Sequence, residues 1–389
     1  MKEFMNPRLS SIQISGIRRI ASLAENDSSV INMTLGQPDF PTPSYIKEAG
    51  KRAIDNNKTA YTHTTGMFEL REAVSKYMNR RYGFNYRPED EILITAGASQ
   101  AIDTSLRTIL EEDSEVIIPM PIFPGYEPIV RLLGAVPVYI DTTKNEFKVN
   151  AEMIKEKLTE KTRCIILSFP SNPTGRTLSA QEMMEIAELL NDKNIFILSD
   201  EIYSELLYEN KHCSIASIPK MRDKTIVING LSKSHAMTGW RIGIAMGPSD
   251  VILEMSKVHL YNTTCASSIS QYAALEALMK ESGDVQKMVA EYKRRKDYMF
   301  RRLAEAGLSV YEPEGAFYLF PSIKTTGMTS MEFALKLLED EKVAVVPGNA
   351  FSAFGEGYIR ISYACSMDQL IEGSKRIERF FKKYSDNIA

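Results

Sequence analysis

The sequence predicts an α/β protein: a large domain with a mainly parallel sheet between helices, followed by a smaller α+β domain. From Glu91 to Met246 short apolar runs alternate with helical periodicity, the pattern left by parallel strands and the helices that cover them. After Gly307 the chain changes to short strand-like runs between two helical segments. Its 389 residues also suit about two domains of the usual ~100 to 200 residues.

In chain order, a helix is expected over about 9–25, and an apolar run at 31–35 breaks at GQPDFPTP, where Pro38, Pro41 and Pro43 hold the backbone extended. Ser44 is placed to cap a helix reaching about residue 56. A polar loop at 61–65 precedes a helix with Leu70, Val74, Tyr77 and Met78 on one side. Strands are then expected at 92–95, 116–118, 136–140, 164–169, 195–199, 225–229 and 242–246. Between them lie helical segments at 98–110, 129–133, 151–158 and, capped by Ser179, up to residue 190. Helices dominate 248–307, including a long amphipathic one over 284–306 that Gly307 is placed to end. The remainder reads as strands at 309–311, 316–320, 343–346 and 358–362, with helices near 330–338 and 367–382.

Composition excludes several classes. With 44% hydrophobic and 25% charged residues the chain is ordinary globular protein, and a formal charge of −3 offers no footprint for nucleic acid or an anionic membrane. The densest basic run, Lys293 to Lys296 with Arg301 and Arg302, is interleaved with Tyr292, Tyr298, Met299 and Phe300 and reads as one solvated helix face. No stretch approaches the ~20 apolar residues of a membrane span, and the N-terminus has no apolar export-signal core. Cys164, Cys213, Cys265 and Cys365 form no C-x-x-C pair, which fits reduced thiols in the cytoplasm. The four histidines are as scattered, so no metal site is expected.

Functional loops in such sheets gather at the carboxyl ends of the strands, and TAGAS, SNPTG, DEIY and GLSK all fall there. In TAGAS, the amides of Ala98 and Ser99 either open an ordinary helix or receive an anion at its N-terminus. SNPTG is a turn that also presents Asn172. Asp200 ends an apolar strand, where a carboxylate is costly; it either caps the next segment or meets a cation such as a protonated ring nitrogen, with Tyr203 able to bond an oxygen on that ring. Lys233, set among small and hydroxyl residues, is suited to a Schiff base with a carbonyl cofactor, and Arg241 eight residues on to a phosphate. Arg360 lies inside a strand, paired either with a core acid or with a substrate carboxylate.

In this order, GQPDFPTP, YTHTTGMFELREAV, NPTG, DEIY, SKSHAMTGWRIG and YIRISYA resemble the class I/II aminotransferases, the fold-type I enzymes of pyridoxal 5′-phosphate (PLP), over nearly the full length. Within that family the chain is most similar to the bacterial aminotransferase A group, described as N-acetyl-L,L-diaminopimelate aminotransferases of lysine synthesis. The resemblance implies a seven-stranded sheet and a homodimer with shared active sites. It implies a segment 1–40 packing with the small domain, a large PLP-binding domain at 41–285 and a small domain at 286–389.

Carried over residue by residue, it implies that Lys233 bonds PLP and moves the substrate proton, while Asp200 pairs with the ring nitrogen. Tyr203 and Asn172 bond the ring oxygen, and Phe123 stacks on the ring. Ala98, Ser99 and Arg241 bind the phosphate, which Tyr61 reaches from the neighbouring subunit. Arg360 takes the substrate α-carboxylate, at an end lined by Gly36 and Asn172.

There are two departures. Many relatives carry a phosphate-binding serine where this chain has Gly230, so Ser232 or Ser234 substitutes or the contact is absent. No arginine occurs between Arg241 and Arg294 to supply the second guanidinium that aspartate-specific members use.

The implied reaction moves an amino group from an L-amino acid, N-acetyl-L,L-diaminopimelate among the candidates, to a 2-oxo acid such as 2-oxoglutarate. A PLP-dependent carbon–sulfur β-lyase needs the same lysine, aspartate and arginines and is the alternative. A PLP-binding regulator is disfavoured, since no helix-turn-helix pattern precedes the fold. Side-chain specificity is expected at 12–17 and 261–268.

Overall fold

The computed structural model describes residues 4–12, 16, 20, 22, 27–209, 211–280 and 282–385. After β1 (Ile31–Asn32) come α1 (Ser44–Asp55) and α2 (Phe68–Tyr82). The expected alternation follows: β2 (Ile92–Thr95), α3 (Ala98–Ile109), β3 (Glu115–Met120), α4 (Tyr126–Leu132), β4 (Val136–Asp141), α5 (Ala151–Lys155), β5 (Thr162–Ser168), α6 (Ala180–Leu190), β6 (Phe196–Asp200), β7 (Thr225–Gly230) and β8 (Gly243–Met246). Helices α7 (Ser249–Thr263), α8 (Ser268–Met279) and α9 (Asp284–Glu305) lead to the C-terminal region. That region holds β9 (Tyr318–Leu319), α10 (Ser330–Glu341), β10 (Val343–Ala344), β11 (Val346–Pro347), β12 (Ile359–Ser362) and α11 (Met367–Ser385).

Strands β2 to β8 form one seven-stranded sheet in the order β2-β8-β7-β6-β5-β3-β4. From β7 across to β4 all neighbours are parallel, whereas β8 is antiparallel to both β7 and β2. The two reversals cancel, so β2 ends at the same edge as β5, β6 and β7. Alternate strand residues serve opposite faces: Ile118, Ile166, Leu198 and Ile228 pack with α3 and α7, and Ile117, Ile165, Leu167 and Ile197 with α5 and α6. With both faces apolar, polar groups converge only at the strand ends.

In the C-terminal region β11, β12 and β9 make an antiparallel sheet, and β1 pairs in parallel with β10. Ile31 and Met33 thereby join a core with Tyr292 and Met299 of α9, Phe317, Leu337 and Phe380. Residues 7–11 pack elsewhere, against α4, with Arg8 paired to Glu112 at 2.7 Å.

Some local expectations are corrected. Residues 309–311 form no strand: Ser309 accepts one bond from Ser322, and Tyr311 instead packs edge-on against Phe147. Ser44 is the first residue of α1 and not its cap, because Pro43 occupies that position with its carbonyl already accepting from Ile46 and Lys47. Pro7–Ser11 is a 3-10 turn; beyond it Gly16, Ile20 and Ser22 are helical, and the other residues of the helix expected to reach 25 lie outside the described residues, Ile12 excepted. The basic run of α9 is only half solvated. Arg295 is buried and bonds both carboxylate oxygens of Asp39 at 2.9 Å, and buried Lys296 reaches Glu312 at 2.6 Å. Among the described residues no helix is long and apolar enough to cross a membrane.

Ser179 caps α6 as expected, within a reciprocal capping box with Glu182. Ser179→Ala is expected to lower stability by ~1 kcal/mol in denaturant unfolding without changing turnover; an unchanged unfolding midpoint would show that α6 does not need its cap.

Candidate active site

A cavity of about 660 Å³ opens where the carboxyl ends of β5, β6 and β7 face β9 and β12. It brings together Gly36, Ala98, Ser99, Phe123, Asn172, Asp200, Tyr203, Ser232, Lys233, Arg241 and Arg360, the residues singled out from the sequence, with one exception. Tyr61 lies outside it, 84% exposed. Of the segments expected to set specificity, Ile12 and Gly16 line a smaller neighbouring cavity with Phe351, while residues 13–15 and 17 lie outside the described residues. Tyr261 is 90% exposed, and residues 261–268 do not line the cavity of their own chain.

Asp200 closes β6 between Ser168 of β5 and Ile228 of β7 and is 4% exposed. Its Oδ2 accepts from the Tyr126 hydroxyl at 2.7 Å and its Oδ1 from the Ile202 amide at 3.1 Å. The second bond shapes the next turn, so Asp200 both caps the following segment and is a buried acid. Burial pushes its carboxyl up to about 6, against the opposing pull of those two bonds.

Lys233 follows β7, and its Nζ donates to the Gly36 carbonyl at 2.6 Å. Burial, with Arg360 and Arg241 nearby, lowers its ammonium to about 8, so roughly a tenth is the nucleophilic free amine at neutral pH, far more than for an ordinary lysine. Arg360 on β12 donates to Asn172 Oδ1 at 2.9 Å and to the Thr34 carbonyl at 2.5 Å. Its guanidinium lies 4.4 Å from the Tyr318 ring centre and 5.1 Å from that of Phe351, and its buried Nε has no partner. No core acid pairs with Arg360 among the described residues, which leaves its fork for a ligand carboxylate.

At the other end of the cavity, Gly97 immediately precedes α3, and no side chain caps the helix. Gly97 has φ +82°, and a Cβ there would stand 2.2 Å from Arg241 Nη2; a Cβ on Gly243 would fall 2.3 Å from the Gly97 carbonyl carbon. The two bare positions let the Arg241 guanidinium lie against the amide end of α3, where an anion is favoured. Gly230 faces Gly243 in the β7–β8 ladder, and a Cβ on it would sit 2.9 Å from the Ile242 carbonyl, so a serine there would crowd the backbone. Of the two nearby serines, Ser232 lines the cavity and Ser234 turns away to His235 Nδ1 at 2.8 Å.

These residues fit PLP: an uncapped helix end beside an arginine for a phosphate, a buried carboxyl seeking a cation for a ring nitrogen, and an amine whose ammonium is depressed to about 8 for a carbonyl. Sequence reasoning missed Tyr126, which holds Asp200, and Tyr318, which lies under Arg360. The sequence singles out Phe123 three residues before Tyr126, but neither phenol carries a local signal, because which group it meets depends on the tertiary fold.

The chain belongs to the aminotransferase class I and II family, whose model matches residues 28–377. That family is PLP-dependent, and the protein is an aminotransferase. It is 55% identical over 383 residues to the probable N-acetyl-LL-diaminopimelate aminotransferase of Bacillus subtilis (strain 168), covering 98% of this chain and 97% of the relative. An aromatic aminotransferase from Pyrococcus horikoshii OT3 matches with a TM-score of 0.90 at 40% identity, covering 96% of this chain and 100% of its own. The aspartate aminotransferase from Thermus thermophilus with maleate matches with a TM-score of 0.92 at 34% identity, covering 97% and 99%. The seven-stranded α/β fold is theirs, and these relatives support amino-group transfer and lend nothing to the carbon–sulfur lyase alternative.

The Asp200 environment has a measurable consequence. A carboxyl raised from 3.8 to about 6 binds its proton more tightly in the folded chain, so its contribution to stability is present below about pH 4 and is lost as pH rises through 6. Without cofactor, Asp200→Asn is therefore expected to be more stable than wild type near neutral pH, by up to ~3 kcal/mol, with the gain vanishing in acid. Equal melting temperatures near neutral pH would contradict this.

Proposed function

We propose that this cavity transfers an amino group from a long amino acid, N-acetyl-L,L-diaminopimelate, to 2-oxoglutarate, in lysine synthesis, with Lys233 as cofactor anchor and proton carrier. The observation that carries the site reading is the Lys233 amine, depressed to about 8, in one cavity with buried Asp200 and an Arg360 guanidinium that meets no acid among the described residues. The 55% identity to the Bacillus subtilis relative supports the donor.

When bound, PLP supplies the electron sink that makes a substrate Cα–H acidic. The amides of Ala98 and Ser99, with Ser232 and Arg241, hold its phosphate; Phe123 covers the ring; Tyr203 and Asn172 face the ring oxygen. Asp200 keeps the ring nitrogen protonated, because a buried carboxylate is stabilised by the cation opposite it. Arg360 grips the α-carboxylate at the end lined by Gly36 and Asn172, which aims the Cα–H at Lys233. The freed Lys233 amine takes that proton and returns it at a neighbouring carbon, a positioned transfer worth ~10² to 10⁴ in rate. Water would supply the keto oxygen of the departing 2-oxo acid while the amino nitrogen stays behind with the cofactor; the acceptor oxo acid then binds the same residues, and the steps reverse to give it that nitrogen.

Assembly as a homodimer with shared active sites belongs to this reading: Tyr61 stands clear of its own cavity, and Leu253, Leu260 and Tyr261 offer exposed apolar surface. The cytoplasm is the compartment we infer from the four free thiols. We divide the chain at 1–40, 41–285 and 286–389, supported by the pairing of β1 with β10 and the run of α9 into the C-terminal core.

Lys233→Ala is expected to lose the visible absorbance of bound PLP and ~10² to 10⁴ or more of turnover; a fully active variant would overturn the lysine assignment. In single-turnover reactions of the PLP-loaded wild type, acetylated diaminopimelate should discharge the cofactor absorbance fastest. A faster reaction with aspartate or phenylalanine would overturn the donor.

A further inference from the structure

Tyr318 has no part in the roles above, yet it touches the groups at both ends of the substrate site. It opens β9 and is fully buried, one strand away from Arg360 on β12. Its ring lies 4.4 Å beneath the Arg360 guanidinium, and its hydroxyl is 2.8 Å from that of Tyr203. Gly36 closes the space beside that hydroxyl, since a Cβ there would stand 3.2 Å from it.

Each phenol owns a single hydrogen. If Tyr203 donates its hydrogen to a cofactor ring oxygen, the hydrogen between the two tyrosines must come from Tyr318. A hydroxyl that accepts one bond becomes a stronger donor in the next, and the arginine charge over the Tyr318 ring polarises the chain in the same sense. We propose that Tyr318 is a positioning residue that links the carboxylate-binding Arg360 to Tyr203 and strengthens Tyr203 as a donor to the ring oxygen. The inference rests on the PLP reading of the cavity. It adds that occupancy of Arg360 by a carboxylate, which neutralises the charge over Tyr318, is felt at Tyr203.

The test is a pH titration of the visible absorbance of the PLP-loaded protein. Tyr318→Phe keeps the ring beneath Arg360 and removes only the hydroxyl. A weaker donor leaves the cofactor ring oxygen more basic, so the proton it shares with the Lys233 nitrogen is held more tightly. The titration midpoint should rise by roughly half to one pH unit, the size of one hydrogen bond. The KM for the amino donor should change little and kcat should fall.

Tyr203→Phe should raise the midpoint as well, and adding Tyr318→Phe to it should raise it no further, because Tyr318 acts through Tyr203. A midpoint unchanged in Tyr318→Phe, or shifts that add in the double variant, would overturn the coupling, whatever the melting temperatures. A wild-type chain that shows no PLP absorbance would overturn the reading of the site itself, which the Lys233→Ala comparison detects separately.

Discussion

Asp200 brings a carboxyl group to the end of β6, where it is 4% exposed and, among the described residues, only the Tyr126 hydroxyl and the Ile202 amide bond to it. Burial outweighs those two bonds, which is why the group sits at about 6 rather than in the usual carboxylate range. Lys233, Arg241 and Arg360 surround the same cavity, yet none forms an ion pair with Asp200 among the described residues. Separated charges of both signs in one enclosed space are costly to fold and suited to a ligand that is anionic at one end and cationic in the middle.

The sheet explains how such a set can exist in a stable chain. Two apolar faces packed by helices carry the folding energy, and polar groups are confined to the strand ends, where backbone geometry and not side-chain pairing holds them. The tightest example is the contact between Gly97 and Gly243, which lets the Arg241 guanidinium reach the open end of α3. Gly230, opposite Gly243, belongs to the same close approach, so this position is filled by the residue that the local backbone packing admits.

The strands of the large sheet were legible because each is a short apolar run bounded by turns, and the Ser179 cap and the Gly307 stop were legible because their signals are local. The cavity residues were legible as motifs at strand ends. What stayed hidden depends on contacts between distant segments. Arg295 and Lys296 looked solvated because their acids, Asp39 and Glu312, lie on other segments. The run at 309–311 has strand composition but no adjoining ladder. Tyr126 and Tyr318 look like core aromatics until the fold aims their hydroxyls at Asp200 and Tyr203.

The central claim is that buried Asp200 exists to hold a proton on a cofactor ring nitrogen. The most direct measurement is the ¹⁵N NMR shift of PLP labelled at that nitrogen and bound to the wild-type protein. A buried carboxylate opposite the ring should keep the nitrogen protonated well above neutral pH, to about pH 9, and Asp200→Ala should abolish that protection. A deprotonated ring nitrogen in the wild-type protein near neutral pH would contradict the claim.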